Sequence, residues 1–272
     1  MQTQGSSKPE LPELARYFAV PGAHLYTVLH PVAEPVARVL LVGAFASERH
    51  FAYHPWVRWA RYLAARRIEV LRFDYRGMGE STGVFEEMSF AEWSEDLHLV
   101  ATWFQSQSPR LPLLLHGLEL GAILAGRCFD EGTGDALLLW SPPVNANHVL
   151  RSTLRRWSGL EQLYESPENR RSVSAYIREL EQGTPIEVQG YLWSSSLWRD
   201  SFQFDLPANM ADGTSSREGG KRPVKLERFG KETGCLAMPY LRYEEVKDLT
   251  PLYSENFDWA VEALALPIER AQ

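Results

Sequence analysis

The chain has 272 residues, 44% of them hydrophobic and 23% charged, with a formal net charge of −7; that length suits one large α/β domain or a core with a small cap, and the acidic balance argues against a nucleic-acid partner, which wants a basic face. No apolar run reaches bilayer length, so no membrane span is expected, and residues 1–13 lack the basic–apolar–cleavage pattern of a leader, which points to a cytoplasmic protein. Two cysteines, Cys128 and Cys235, make no disulfide framework, and neither a metal-ligand spacing nor a nucleotide or flavin motif occurs, so no cofactor is expected.

Residues 1–13 read as a loose polar tail. Residues 15–20 and 25–30 flank Pro21-Gly22 and predict a hairpin. Residues 38–45 form an apolar run of buried-strand type. Residues 54–67 have helical spacing, with Pro55 suited to a first turn. Residues 69–76 predict the next strand. Residues 89–105 predict an amphipathic helix that Ser89 and Glu92 open as a capping box. Strand 111–117, helix 119–130 and strand 136–143 follow. Alternation of nearly continuous apolar strands with helices means βαβ units and a parallel sheet with helices on both faces.

The alternation stops near residue 147. Residues 147–206 are aromatic and helical in pattern (Trp157, Tyr164, Tyr176, Trp193, Trp198) and read as a helical cap, with 1–146 and 207–272 forming the core. The Gly/Ser/charge stretch 211–221 reads as a mobile loop. Residues 224–230 and 235–243 predict the last strands, and 248–264 the closing helix.

The chemistry centres on Gly117-Leu118-Glu119-Leu120-Gly121, set between a strand and a helix. The Gly-x-Ser-x-Gly elbow of α/β hydrolases has this context, with the nucleophile on a strained turn. Upstream, Asp74-Tyr75-Arg76-Gly77-Met78-Gly79-Glu80-Ser81 resembles the D-x-R-G-x-G-x-S turn of the same superfamily. Asp74 and Arg76 there read as ion-pair or turn residues. The expected fold is therefore the α/β-hydrolase fold with a cap insertion. Gly43, Ala44, Phe45 and Glu48 border the oxyanion region, and Gly117, Leu118, Leu120 and Gly121 form the elbow around Glu119.

A narrower resemblance rests on short motifs. Gly43-Ala44-Phe45-Ala46-Ser47-Glu48-Arg49 resembles the PPFAEE-type loop of exosortase A system-associated hydrolases. Their Trp-rich helix is matched by Ala91-Glu92-Trp93-Ser94-Glu95-Asp96-Leu97, and their G-Y-x-x-S segment by Gly190-Tyr191-Leu192-Trp193-Ser194. Members of that family also often lack the elbow serine. The resemblance implies a hydrolase-like protein working near bacterial exopolysaccharide or surface-protein export, with a protein partner there.

Glu119 replaces the serine, and the histidine base is missing too. The seven histidines are His24, His30, His50, His54, His98, His116 and His148, so none follows position 148. The base ordinarily comes from the loop after the last strand, where this chain offers Tyr240, Arg242 and Tyr243; Glu232 stands in the region of the triad acid. A conventional triad is not expected. Haloalkane dehalogenases and epoxide hydrolases use an elbow aspartate as nucleophile, but glutamate reaches about 1.5 Å further, one more C–C bond, and the ester would lack a base.

Two readings stay open. In the first, the site is degenerate: the Glu119 carboxylate sits on the free N–H groups of a helix N-terminus, and the protein binds a small molecule, an acyl or glycan ligand, or a protein partner. In the second, Glu119 acts as nucleophile or general base on an ester or thioester, helped by His148, His50 or a second carboxylate, Glu48. Glu48 itself reads first as a partner of Arg49 or a helix end. His116 and Cys128 read as core residues, His54 as a helix cap and Ser141 as a strand-ending turn. The basic stretch Arg151–Arg156 reads as a solvated face of the cap.

Overall fold

The computed structural model describes residues 11–210, 214–217, 220–228 and 248–268. Expectations for residues 235–243, and for Glu232, Tyr240, Arg242 and Tyr243, lie outside the described residues.

Strand β1 (Leu14–Val20) turns through Pro21-Gly22 into β2 (Ala23–His30), and the two pair antiparallel as a hairpin. Then come β3 (Ala37–Val42), α1 (Ala46–Ala64), β4 (Ile68–Phe73), α2 (Phe90–Gln107), β5 (Leu113–Leu118), α3 (Leu120–Asp130) and β6 (Ala136–Trp140). After the cap, β9 (Thr214–Arg217) and β10 (Gly220–Glu227) lead to α7 (Thr250–Ala263). The sheet order is β1-β2-β4-β3-β5-β6-β10-β9, with β4-β3-β5-β6-β10 parallel.

Strand alternation divides the core cleanly. Leu40, Val42, Leu113, Leu115, Leu137 and Leu139 face the α2 and α3 layer. Val39, Leu41, Leu114, Leu118, Leu138 and Trp140 face α1 and α7. Both faces are apolar because helices cover both, as a parallel sheet requires. Ser89 caps α2 as expected: its side chain accepts from the Glu92 N–H, while the Glu92 carboxylate accepts from the Ser89 N–H.

Three local readings are corrected. Helix α1 starts at Ala46, not near His54, so Pro55 lies inside it. The missing Pro55 N–H leaves one carbonyl of the preceding turn without its helical donor, yet Ala52, Trp56, Trp59, Ala60 and Leu63 continue one buried stripe against the sheet. Tertiary burial outweighs the local break. Glu48 accordingly stands in the first turn of a helix rather than in a loop.

The stretch 211–221 holds β9 and the start of β10 where a loop was expected. The two strands pair antiparallel, and β10 then runs parallel to β6 from Val224 to Glu227.

The cap contains α4 (Ala146–Tyr164), α5 (Val173–Glu181) and α6 (Ser195–Asp200), but also a hairpin of β7 (Ile186–Val188) and β8 (Tyr191–Trp193). Gln189 and Gly190 both have positive φ, 52° and 83°, which suits a two-residue turn. Cap residues Leu150, Leu154, Tyr176, Trp193 and Trp198 share one apolar cluster with Phe45, Phe90, Trp93 and Ile123 of the core.

Candidate functional site

Strand β5 delivers Glu119 to a tight turn with φ 53° and ψ −120°, and α3 begins at the next residue. A non-glycine residue at such an angle costs on the order of 1–3 kcal/mol, held by surrounding structure. The Glu119 N–H donates to the Trp140 carbonyl at 2.9 Å, and its carbonyl accepts from the Ala122 N–H at 2.9 Å. The flanking glycines are required by contact. A Cβ on Gly121 would overlap the carbonyl oxygens of Val42 and Gly43, and one on Gly117 would overlap Ala122. The same backbone device recurs beside it. Ala46 (φ 43°) after β3 and Ser141 (φ 48°) after β6 are also left-handed. Three strained residues thus cluster at the carboxyl ends of three adjacent parallel strands.

The side chain of Glu119 is 2% exposed. Burial pushes its pKa up to about 8, and the negative charge of Glu48 adds to that; Arg156 and the Leu120 N–H pull the other way. Solvent exclusion therefore favours the neutral, protonated carboxyl at this position. One carboxyl oxygen, Oε2, is buried without a hydrogen-bond partner. Glu119 makes no side-chain capping bond to α3. The expected anion seated on several helix N–H groups is not what forms: a desolvated acid beside a single N–H is.

Glu48, 6% exposed, projects from the first turn of α1. It accepts from Arg156 of cap helix α4, whose Nη2 donates to Glu48 Oε1 and also, at 3.1 Å, to Thr153 Oγ1. Arg49 instead forks onto Asp74, Nε to Oδ1 at 3.0 Å and Nη2 to Oδ2 at 2.6 Å. Arg76 forks onto fully buried Asp96 at 2.9 and 2.5 Å. Asp74 and Arg76 are therefore ion-pair residues of the glycine turn. Val149, Thr153 and Arg156 follow helical spacing along one edge of α4. That spacing was the only sequence signal for Arg156, and the reading of a solvated basic face missed it.

His148 is exposed in the first turn of α4, its N–H bonded to the Asn145 side chain at 2.7 Å. His50 and His54 are exposed on α1. Neither His148 nor His50 is among the groups that perturb Glu119. His116 is fully buried between Trp56, Trp59 and Trp140, its Nδ1 accepting from Trp59 Nε1 at 2.9 Å. Burial pushes that imidazole well below its ordinary pKa. Cys128 is buried, its thiol pushed up to about 11. Among the described residues no group of acidic, histidine or cysteine side chains is placed to hold a metal ion, and no helix is long and apolar enough to cross a membrane.

A parallel sheet covered on both faces, with a strained elbow at a strand's carboxyl end, defines a protein of the α/β-hydrolase superfamily. The serine aminopeptidase S33 family model matches residues 35–179, and the chain belongs to that family. No curated protein matches the sequence. The fold is similar to the α/β hydrolase GrgF from Penicillium sp. sh18, at 17% identity and TM-score 0.60, covering 94% of this chain and 100% of that one. It is equally similar to Est1E from Butyrivibrio proteoclasticus, solved with ferulic acid bound, at 13% identity and TM-score 0.60, covering 92% and 100%. An alpha-beta serine hydrolase homologue from Coxiella burnetii matches 48% of this chain, which spans 64% of that protein, at 18% identity and TM-score 0.42.

Proposed function

We propose that this chain is a non-hydrolytic member of its family, a binding protein whose elbow carries a buried hydrogen-bonding acid in place of a nucleophile. Glu119 carries the reading: it is 2% exposed, displaced to a pKa of about 8, and its charged neighbours are Glu48 and Arg156 rather than a histidine. A protonated carboxyl is a weak nucleophile and a weak base, and no histidine follows position 148. The strained elbow supports a retained recognition site. The ligand in keeping with the aromatic cap is an acyl or glycan group. A protein partner in an export or exopolysaccharide system is the alternative occupant, and it rests on the short motifs at 43–49 and 190–194.

The test is turnover by the purified protein across esters, thioesters, epoxides and haloalkanes. No rate above background is expected. A reproducible activity that Glu119→Gln abolishes would overturn the reading.

A second reading has its own observation. Glu48 pairs with Arg156, and both charges act on the buried Glu119 carboxyl, an arrangement in which one carboxyl can hold a proton while the other carries a charge. Glu119 would then donate a proton and Glu48 accept one during hydrolysis or acyl transfer. This reading requires a rate that falls as pH rises through about 8 and that is lost in both Glu119→Gln and Glu48→Gln.

A further inference from the structure

Strand β1 forms one edge of the central sheet and β9 the other. A strand edge that faces only solvent is ordinarily blunted, by brevity, a lysine, a proline or a bulge. β9 follows that rule, being four residues of Thr-Ser-Ser-Arg. β1 does not. It runs for seven residues, Leu-Ala-Arg-Tyr-Phe-Ala-Val, in unbroken register with β2, and it holds no proline, lysine or bulge.

The hairpin turn fixes which backbone groups of β1 face outward. Val20 and Ala23 are paired directly across the two-residue turn, so they exchange both hydrogen bonds, and such bonded pairs recur at every second residue. Leu14, Arg16, Phe18 and Val20 therefore direct their N–H and C=O groups at β2. Ala15, Tyr17 and Ala19 direct theirs away from the sheet, and among the described residues no strand lies beyond β1. All three are exposed, Tyr17 by 58%. On one face of the strand, Phe18 packs on Trp103 of α2, itself 36% exposed, with ring centroids 5.0 Å apart. Arg16 shares that face two residues away and is exposed. On the other face, Tyr17 meets Tyr26 edge-on at 5.8 Å.

We propose that β1 is a dimerisation edge: two copies of this chain pair their β1 strands antiparallel about a two-fold axis at Tyr17, joining their sheets into one. A second copy is the occupant because the edge complements itself. The outward groups lie on odd-numbered residues of both strands, so this register pairs Tyr17 with Tyr17 and Ala15 with Ala19. It also sets Arg16 opposite Phe18 of the second copy, beside that copy's Trp103, once on each side of the axis. A guanidinium over an aromatic face is attractive. Of the two neighbouring registers, one opposes Arg16 with Arg16, a like-charge pair that is destabilising, and the other leaves Arg16 facing Val20. Each copy uses the same edge, so assembly closes at two. The edge needs nothing from Glu119.

The experiment is sedimentation velocity of the full chain over a concentration series. A reversible monomer–dimer equilibrium is expected. Tyr17→Pro removes an outward N–H and no bond to β2, and should weaken the dimer at least about tenfold. Arg16→Glu, on an exposed side chain, should weaken it at least about tenfold as well, and it keeps the test decisive should the proline disturb β1. A chain that stays monomeric throughout, oligomers that grow beyond two, or an unchanged dimer in Arg16→Glu or in folded Tyr17→Pro would each overturn the proposal.

Discussion

Arg156 of the cap helix donates to Glu48 of the first core helix across 108 residues of sequence, and this pair sits beside the elbow acid Glu119. One guanidinium thus ties α4 to α1 and opposes the upward push that burial and Glu48 give the Glu119 pKa.

Replacing Arg156 by Met is expected to destabilise the protein by about 1–3 kcal/mol. Breaking a fully buried pair costs about 3–5 kcal/mol, but the Arg156 side chain is 25% exposed, so solvent screens part of the loss. The Glu48→Gln/Arg156→Met double variant should recover much of the stability, because the stranded charge is gone. Denaturant melts of wild type and the two variants check this; a double variant no more stable than Arg156→Met would refute the pairing.

Glu119 makes stability depend on pH in a fixed direction. Its folded pKa, about 8, lies above its ordinary value of 4.5. The folded state therefore holds a proton that the unfolded chain has released between those values. The contribution is full below about 4.5, declines as pH rises through 8, and is level above that. In total it is on the order of a few kcal/mol. Glu119→Gln, which cannot ionise, should remove this decline and be more stable than wild type at pH 9. Thermal melts at pH 5, 7 and 9 decide it, and parallel pH profiles for the two proteins would contradict the assigned proton.

Two glycines should respond in opposite directions to alanine. At Gly121 the new methyl group would overlap two β3-loop carbonyls, so a loss of about 3 kcal/mol or more, or failure to fold, is expected. At Gly159, on the exposed side of α4, a Cβ meets nothing within 4 Å. Helix propensity alone then acts, and a gain of about 0.5–1 kcal/mol is expected. Equal effects at the two sites would mean that the elbow is not closely packed on β3.

Asp96 is fully buried and carries both bonds from Arg76. Asp96→Ala leaves that guanidinium, 13% exposed, without its carboxylate, and a loss of about 3–5 kcal/mol is expected. A loss below about 1 kcal/mol in urea unfolding would show that Arg76 finds another partner.

The sheet was legible because its signals are local. Val39–Val42 and Leu113–Leu115 are apolar at every position, which needs helices on both faces. Ser89 and Glu92 sit three residues apart and cap α2 whatever packs beyond them. The β7–β8 hairpin and the β9–β10 pair are local, yet their short turns lie inside stretches whose composition reads as helical cap and as loop, whereas the first turns of α1 and the placement of β10 depend on partners distant in sequence. Pro55 is carried inside α1 by burial of Trp56 and Trp59, and β10 is a strand because β6 lies beside it.

The sequence by itself determined which residue types stand at the elbow and where the histidines fall. A glutamate stands at position 119, and no histidine follows position 148, facts that no folding can alter. Only the tertiary structure decided what Glu119 is. Its protonation depends on solvent exclusion and on the charges of Glu48 and Arg156, and those residues reach it through the packing of α1, α3 and the cap. Sequence spacing fixes which groups are available; burial and distance fix their charge.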